Sequence, residues 1–157
     1  MCIRDRVYTG RGNEDPRGRR YAESLQAMLT SPRPLIEDVY DRAVHAEVPG
    51  GFDLHGWDEI NKYWADLRAC FSDGRLEIHH QIGREDEGLG ERAALRWSLH
   101  ATHTGGALFG DPTGAPIHIM GISHAEYGPW GLRREFVLFD EVAIWTQLLK
   151  HNDASES

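Results

Sequence analysis

The chain has 157 residues, 40% hydrophobic and 27% charged, which is enough for one domain with a core of its own. Its net charge is −8 with histidines neutral, and the only basic cluster is Arg17, Arg19 and Arg20, so a nucleic-acid partner is not expected. No apolar run is long enough to span a membrane, and two cysteines, Cys2 and Cys70, without a Cys-x-x-Cys motif fit a reducing, cytoplasmic compartment.

Residues 1–6, MCIRDR, are what ATG-TGT-ATA-AGA-GAC-AGA encodes, a string that looks like a sequencing-library transposase adapter read through in frame. These six are therefore read as non-biological. The sequence is then metagenomic, its true start lies upstream, and Cys2 carries no functional weight. Residues 7–20 are rich in charge, Gly and Pro and are expected to form a linker or disordered arm, so 1–20 is set apart from the domain.

A short helix is predicted from Tyr21 to Leu29, with Leu25, Met28 and Leu29 on one side, broken by the SPRP of 31–34. A second helix is predicted over 35–44, where Ile36, Val39, Tyr40 and Ala43 recur at helical spacing. Residues 48–56 read as a loop. The third helix, 57–71, is the clearest: Ile60, Trp64, Leu67 and Phe71 form one stripe, and Asp58 and Glu59 favour the positive N-terminal end. SDG at 72–74 stops it.

Beyond this point the period changes to two. LEIHHQI (76–82) places Leu76, Ile78, His80 and Ile82 on one side. AALRWSLHATH (93–103), APIHIMGISHAEY (115–127) and LRREFVLFDEVAIW (132–145) follow, joined by turns rich in Gly, Pro and Asp. HNDASES closes the chain, and 150–157 reads as a polar tail. Helices followed by long antiparallel strands give an α+β layout, with helices covering one face of a curved sheet.

The stretches ACFSDGRLEIHHQI, ALRWSLHATHTG, the PTG turn at 112–114 and REFVLFDEVAIWTQL, in this order, resemble the SnoaL-like polyketide cyclase and ester cyclase group of the nuclear transport factor 2-like superfamily. The resemblance covers roughly residues 21–149. It implies a cone-shaped fold with three N-terminal helices on a curved antiparallel sheet, and by analogy a homodimer. It implies less about chemistry, because this fold hosts cyclases, dehydratases, isomerases, epoxide hydrolases and binding modules.

Matched position by position, the cyclases' catalytic aspartate falls on Val137, which cannot move a proton. The Arg-x-Asp pair of the related epoxide hydrolases reads Arg96-Trp97-Ser98 here, which disfavours epoxide hydrolysis. The family's polar residue eleven positions before the glycine that opens the third helix (Gly56) is His45. The cyclase histidine of the penultimate strand matches Ser123, and a bulge of one residue would bring His124 there instead. Glu135, two residues before Val137 and on the same face, is the substitute acid or base.

Alternation puts Arg96, Ser98, His100 and Thr102 on one face of their strand, and the resemblance implies that this face lines the cavity. Two readings of Glu135 stay open. Buried among apolar neighbours it would be poised for general acid–base work, whereas paired with Arg96 it would be an ordinary ion pair. Trp57 and Tyr63 are further candidates for an aromatic cavity wall. His118 and His124 are six residues apart on one strand, about 20 Å, and no HxH or HExxH occurs, so no metal is expected. No Gly-x-Ser-x-Gly elbow supports a nucleophile.

The resulting expectation is a cofactor-free acid–base enzyme of cyclase, isomerase or lyase type, acting on a small hydrophobic carbonyl or cyclic compound. Its catalytic candidates are Glu135, His45, His124 and Arg96. Its substrate-binding candidates are Ser98, His100, Ser123, Val137, Trp57 and Tyr63. The alternative is a non-catalytic ligand-binding or dimerisation domain, in the extreme the C-terminal half of a longer protein. An enclosed cavity with converging polar groups marks the enzyme, and a filled or apolar interior marks the module.

Overall fold

Asp15 opens the first helix, six residues ahead of the predicted start at Tyr21. In the computed structural model, which describes residues 12–156, its extended backbone and its carboxylate cap the chain, accepting the Arg17 N–H at 2.8 Å, and Pro16 follows in the first turn. Helix α1 thus runs Pro16–Thr30 and buries Tyr21, Leu25, Met28 and Leu29. Residues 12–15 are not a free arm: the Asn13 side chain bonds both the N–H and the C=O of Gly83 at 3.0 Å. A Cβ on Gly83 would lie 2.5 Å from Asp15 Oδ1, so glycine is what lets this segment dock. The expectations for residues 1–11 lie outside the described residues.

The second predicted helix is one turn, α2 (Ile36–Val39), and gives way to a strand, β1 (Tyr40–Val48). Tyr40, Val44, Ala46 and Val48 face the core. The helical spacing of Ile36, Val39, Tyr40 and Ala43 was coincidental, because the period-two pattern that follows it wins by pairing with the sheet. The predicted loop at 48–56 is a hairpin instead. Gly50 and Gly51, at φ 98° and 73°, turn the chain into β2 (Phe52–His55), which pairs antiparallel with β1.

Helix α3 (Gly56–Cys70) keeps its predicted stripe, burying Ile60, Tyr63, Trp64, Leu67 and Cys70. Four long strands follow: β3 (Arg75–Asp86), β4 (Gly90–Thr102), β5 (Pro116–Gly128) and β6 (Gly131–Phe139). The curved sheet has the order β2-β1-β6-β5-β4-β3, antiparallel throughout except between β1 and β6. The sheet is an α+β architecture of the expected class, with α1 and α3 over one face. Helix α4 (Glu141–Glu156) follows β6, so the predicted polar tail is helical through residue 156. Among the described residues no helix is long and apolar enough to cross a membrane.

An irregularity between Ile78 and His80 changes the face of β3. Leu76 and Ile78 pack against the core, while Ile82, expected on their side, is exposed. On the covered face, Trp97 lies over Gly121, where an added Cβ would be 2.3 Å from the indole ring.

Candidate active site

The helix-covered face of the sheet is apolar except for a chain of polar groups around Glu135. A register shift near Tyr127 turns β6 so that Glu135, Val137 and Phe139 point inward while Arg133 and Arg134 stay exposed. The Glu135 side chain is 1% exposed. The hydroxyl of Tyr21 from α1 donates to its Oε2 at 2.7 Å, and the hydroxyl of Tyr40 from β1 donates to its Oε1 at 2.7 Å. Trp64 Nε1 from α3 in turn donates to the Tyr40 oxygen at 3.1 Å. Three elements thus converge on one carboxyl of a fourth.

Burial raises the Glu135 pKa above its ordinary value, and the two tyrosine hydroxyls only partly oppose this by stabilising the anion. The same burial, reinforced by the carboxylate, pushes the Tyr21 and Tyr40 phenols well above the usual range, so both stay protonated as donors. Tyr127 on β5 has its phenol pushed up to about 12, mainly by burial. Its hydroxyl is buried without a hydrogen bond of good geometry among the described residues, and the Ser24 side chain lies close enough to lower that pKa slightly.

Ser123 also faces inward, directly across from Val137, and its hydroxyl accepts from Trp97 Nε1 at 2.9 Å. Ser123 is thus the inward-facing residue of the pair. His124 lies on the opposite face, 6.1 Å from the Phe136 ring. Tyr63 is buried beside Trp64 at 5.4 Å between ring centres, and the half-buried Trp57 donates its indole N–H to the Tyr40 carbonyl at 2.9 Å.

The face predicted to line a cavity is the one turned away from the helices, and Arg96 lines the large concavity there. Trp97, Leu99 and Leu95 point into the core, so Arg96, Ser98 and His100 belong to the outer face. The alternation was read correctly, but polar residues drew the assignment, whereas the large apolar surface of Trp97 and Leu99 decides burial. No Arg96–Glu135 ion pair forms, because the sheet lies between them, and no guanidinium lowers the carboxyl's pKa. Ser98 is buried under His79, whose Nε2 is 2.6 Å from the Ser98 hydroxyl. His100 stacks on His118 with ring centres 4.4 Å apart.

His45 is likewise on the outer face, in β1 rather than at a helix end. Its Nε2 lies 2.9 Å from Asp53 Oδ1, and its ring stacks on that of His55 at 4.5 Å. Potential ligand atoms of His45, Glu47 and Asp53 lie within 4.8 Å of one another. The outer face also holds a concavity of about 1520 Å³, lined by Met120, Ile122, Leu138 and Val142 and by the charged Glu47, Arg96, Asp140 and Glu141.

The sequence singled out Glu135 but none of the groups that surround it, Tyr21, Tyr40 and Trp64. The available signal was a tyrosine on each of two apolar stripes, Tyr21 with Leu25 and Met28, and Tyr40 ahead of Val44 and Ala46. Buried tyrosines need a partner for the hydroxyl.

No match was found among curated proteins. Solved structures similar to the chain include a candidate SnoaL-like polyketide cyclase from Jannaschia sp. CCS1, 12% identical with a TM-score of 0.69 over 87% of this chain and 96% of that one. The candidate polyketide cyclase IdmH of Streptomyces antibioticus is 15% identical with a TM-score of 0.68, over 85% and 99%. The candidate hydroxylase AclR of Streptomyces galilaeus is 18% identical with a TM-score of 0.65, over 84% and 96%. At such identities the likeness is one of fold. The sequence profile of the SnoaL-like domain matches residues 9–127, and the chain belongs to the SnoaL-like domain family.

Proposed function

We propose that this protein is a cofactor-free acid–base enzyme of cyclase, isomerase or lyase type, acting on a small hydrophobic carbonyl or cyclic compound. The observation that carries the reading is the Glu135 carboxyl, buried, raised in pKa and gripped by two tyrosine hydroxyls. A carboxyl tuned towards neutrality is the state general acid–base catalysis needs. In this scheme the carboxylate takes a proton from carbon next to a carbonyl. Tyr21 and Tyr40 hold the carboxyl in one orientation, and the buried Tyr127 hydroxyl is the donor assigned to the developing enolate oxygen. The proton returns to carbon or leaves with an eliminated group. Arg96, His45 and His124 take no part, being across the sheet. The polyketide cyclase names of the similar structures support the class of chemistry.

The test is proton exchange at carbon, which needs no knowledge of the product. A panel of cyclic ketones, β-diketones and lactones is incubated with protein in D2O and followed by NMR. Wild type is expected to label at least one of them, and Glu135→Gln to lose on the order of 10²-fold or more in rate. Equal labelling by both proteins would overturn the assignment.

A second reading, a non-catalytic dimerisation domain, is favoured by the outer concavity. Met120, Ile122, Leu138 and Val142 are each more than half exposed there, an apolar patch of the kind that marks an interface. A second copy of the chain is the occupant proposed. Arg96 lies in the patch and Asp140 and Glu141 border it, so a twofold arrangement sets the arginine of one copy against the acidic border of the other. This face is independent of Glu135, and a dimeric enzyme satisfies both observations.

A further inference from the structure

We propose that the outer face of the β1–β2 hairpin binds a divalent first-row transition metal ion, with His45, Glu47 and Asp53 as ligands and His55 as the neighbouring imidazole. The site lies across the sheet from Glu135 and stands apart from the proton-transfer reading.

The register builds it. His45 pairs with His55 and Glu47 with Asp53, at alternate positions of two antiparallel strands, so all four side chains project from one face. Between them Val44, Ala46, Val48 and Leu54 are buried on the other face, which fixes the backbone that carries the donors. Donor atoms of His45, Glu47 and Asp53 already lie within 4.8 Å of one another. Ligand bonds of about 2.0–2.2 Å put neighbouring donors about 3–4 Å apart around one ion, so rotamer adjustment alone would close the set.

The charges ask for a cation. Glu47 and Asp53 are like charges directly opposite on paired strands, an arrangement that costs stability. The His45 ring meets only one of them, at 2.9 Å from Asp53. His45 and His55 stack face to face, 4.5 Å apart and 2° from parallel, which sets a second imidazole beside the donor set. The closest cation in the register, Arg134 opposite His45 on β6, is directed over the Phe136 ring at 5.6 Å. An imidazole with two carboxylates suits zinc-like ions, whereas calcium and magnesium prefer oxygen donors alone. The donors are partly open to solvent, so water completes the shell. The ion would clip β2, a four-residue edge strand, to β1.

The experiment is calorimetric titration of tag-free, chelator-treated protein with Zn2+, repeated for His45→Ala, for the milder Glu47→Gln and for His118→Ala as a control at the other stacked histidine pair. The expected result is one ion per chain, affinity at least about tenfold weaker in the first two variants, unchanged affinity in the control, and a Zn2+-dependent rise in Tm seen in wild type and lost in Glu47→Gln. Unsaturable or substoichiometric binding in wild type, or binding unaltered by His45→Ala and Glu47→Gln, would mean scattered surface histidines and would overturn the proposal. Circular dichroism of each variant identifies a loss that comes from unfolding. In that event Glu47→Gln, which keeps the side-chain shape, decides.

Discussion

Tyr40 and Glu135, 95 positions apart in the chain, meet through a 2.7 Å hydrogen bond from the phenol to the carboxyl, at the point where β1 runs parallel to β6. Every other strand pair in the sheet is antiparallel, and it is this one parallel pairing that delivers the β1 tyrosine to the β6 glutamate. The contact fixes the sign of several measurable effects.

The first concerns pH. Burial raises the Glu135 pKa in the folded state above its ordinary 4.5, so between those two values the folded protein holds a proton that the unfolded chain has released. Its contribution to stability is therefore full at low pH and is lost as pH rises through the window, by about 1.4 kcal/mol for each pH unit that separates the folded and unfolded pKa. His103, buried and held below its ordinary 6.5 by burial, works the other way: its contribution is present above 6.5 and lost as pH falls towards its folded value. The two slopes overlap, so the comparison must be between proteins. Urea unfolding from pH 4 to 8 is expected to show Glu135→Gln gaining on wild type as pH rises, and parallel curves would refute a raised Glu135.

The second separates the two tyrosines. Tyr21→Phe removes one donor to the carboxyl, a bond to an ionisable group worth about 1.5–3 kcal/mol. Tyr40→Phe removes the other donor and also strands the Trp64 indole N–H, which loses its acceptor. Tyr40→Phe is expected to be the more destabilising in chemical denaturation. Both changes are expected to raise the Glu135 pKa further, since both hydroxyls lower it, as a carbon-detected NMR titration of the carboxyl would read.

Much of this arrangement was legible as pattern but not as geometry. The long stripe of α3 and the period-two strands carried the fold class, because such repeats leave few alternatives. β1 was hidden because four apolar residues happened to fit a helix before the strand pattern began. The cap at Asp15-Pro16 was overlooked because the stretch around it is charged and glycine-rich. The two faces of β4 were separated correctly, but which of them the helices cover was not legible. Alternation says which residues go together and nothing about which set is buried, and Trp97 with Leu99 outweighs Arg96 with His100 once the apolar area is compared. The groups around Glu135 come from three separated elements, and no local spacing encodes that.

The third prediction tests the packing beneath Trp97. A methyl group at Gly121 would fall 2.3 Å from the indole, and the ring is held by its bond to Ser123, so it has little freedom to move aside. Gly121→Ala is expected to cost about 1–3 kcal/mol from overpacking. Unfolding by urea reads the loss, and a changed near-UV signal should report the displaced tryptophan. A neutral outcome would mean that the β4–β5 packing yields more easily than these distances imply.

The fourth tests the outer face. Ile122 and Leu138 are 52% and 62% exposed, so a charge at either position removes little from the isolated fold, and surface changes of this kind usually stay within about 0.5 kcal/mol. Against a second copy the same charge would be buried without a partner. Ile122→Asp is therefore expected to sediment as a monomer with unchanged circular dichroism, where wild type sediments as a dimer. Arg96→Glu should weaken the dimer as well, since it sets a carboxylate against Asp140 and Glu141 of the opposing copy, and this loss should shrink at high salt as the repulsion is screened. A wild-type protein that sediments as a monomer at high micromolar concentration would leave the apolar face without its proposed occupant, and the proton-exchange test at Glu135 would stand unaffected.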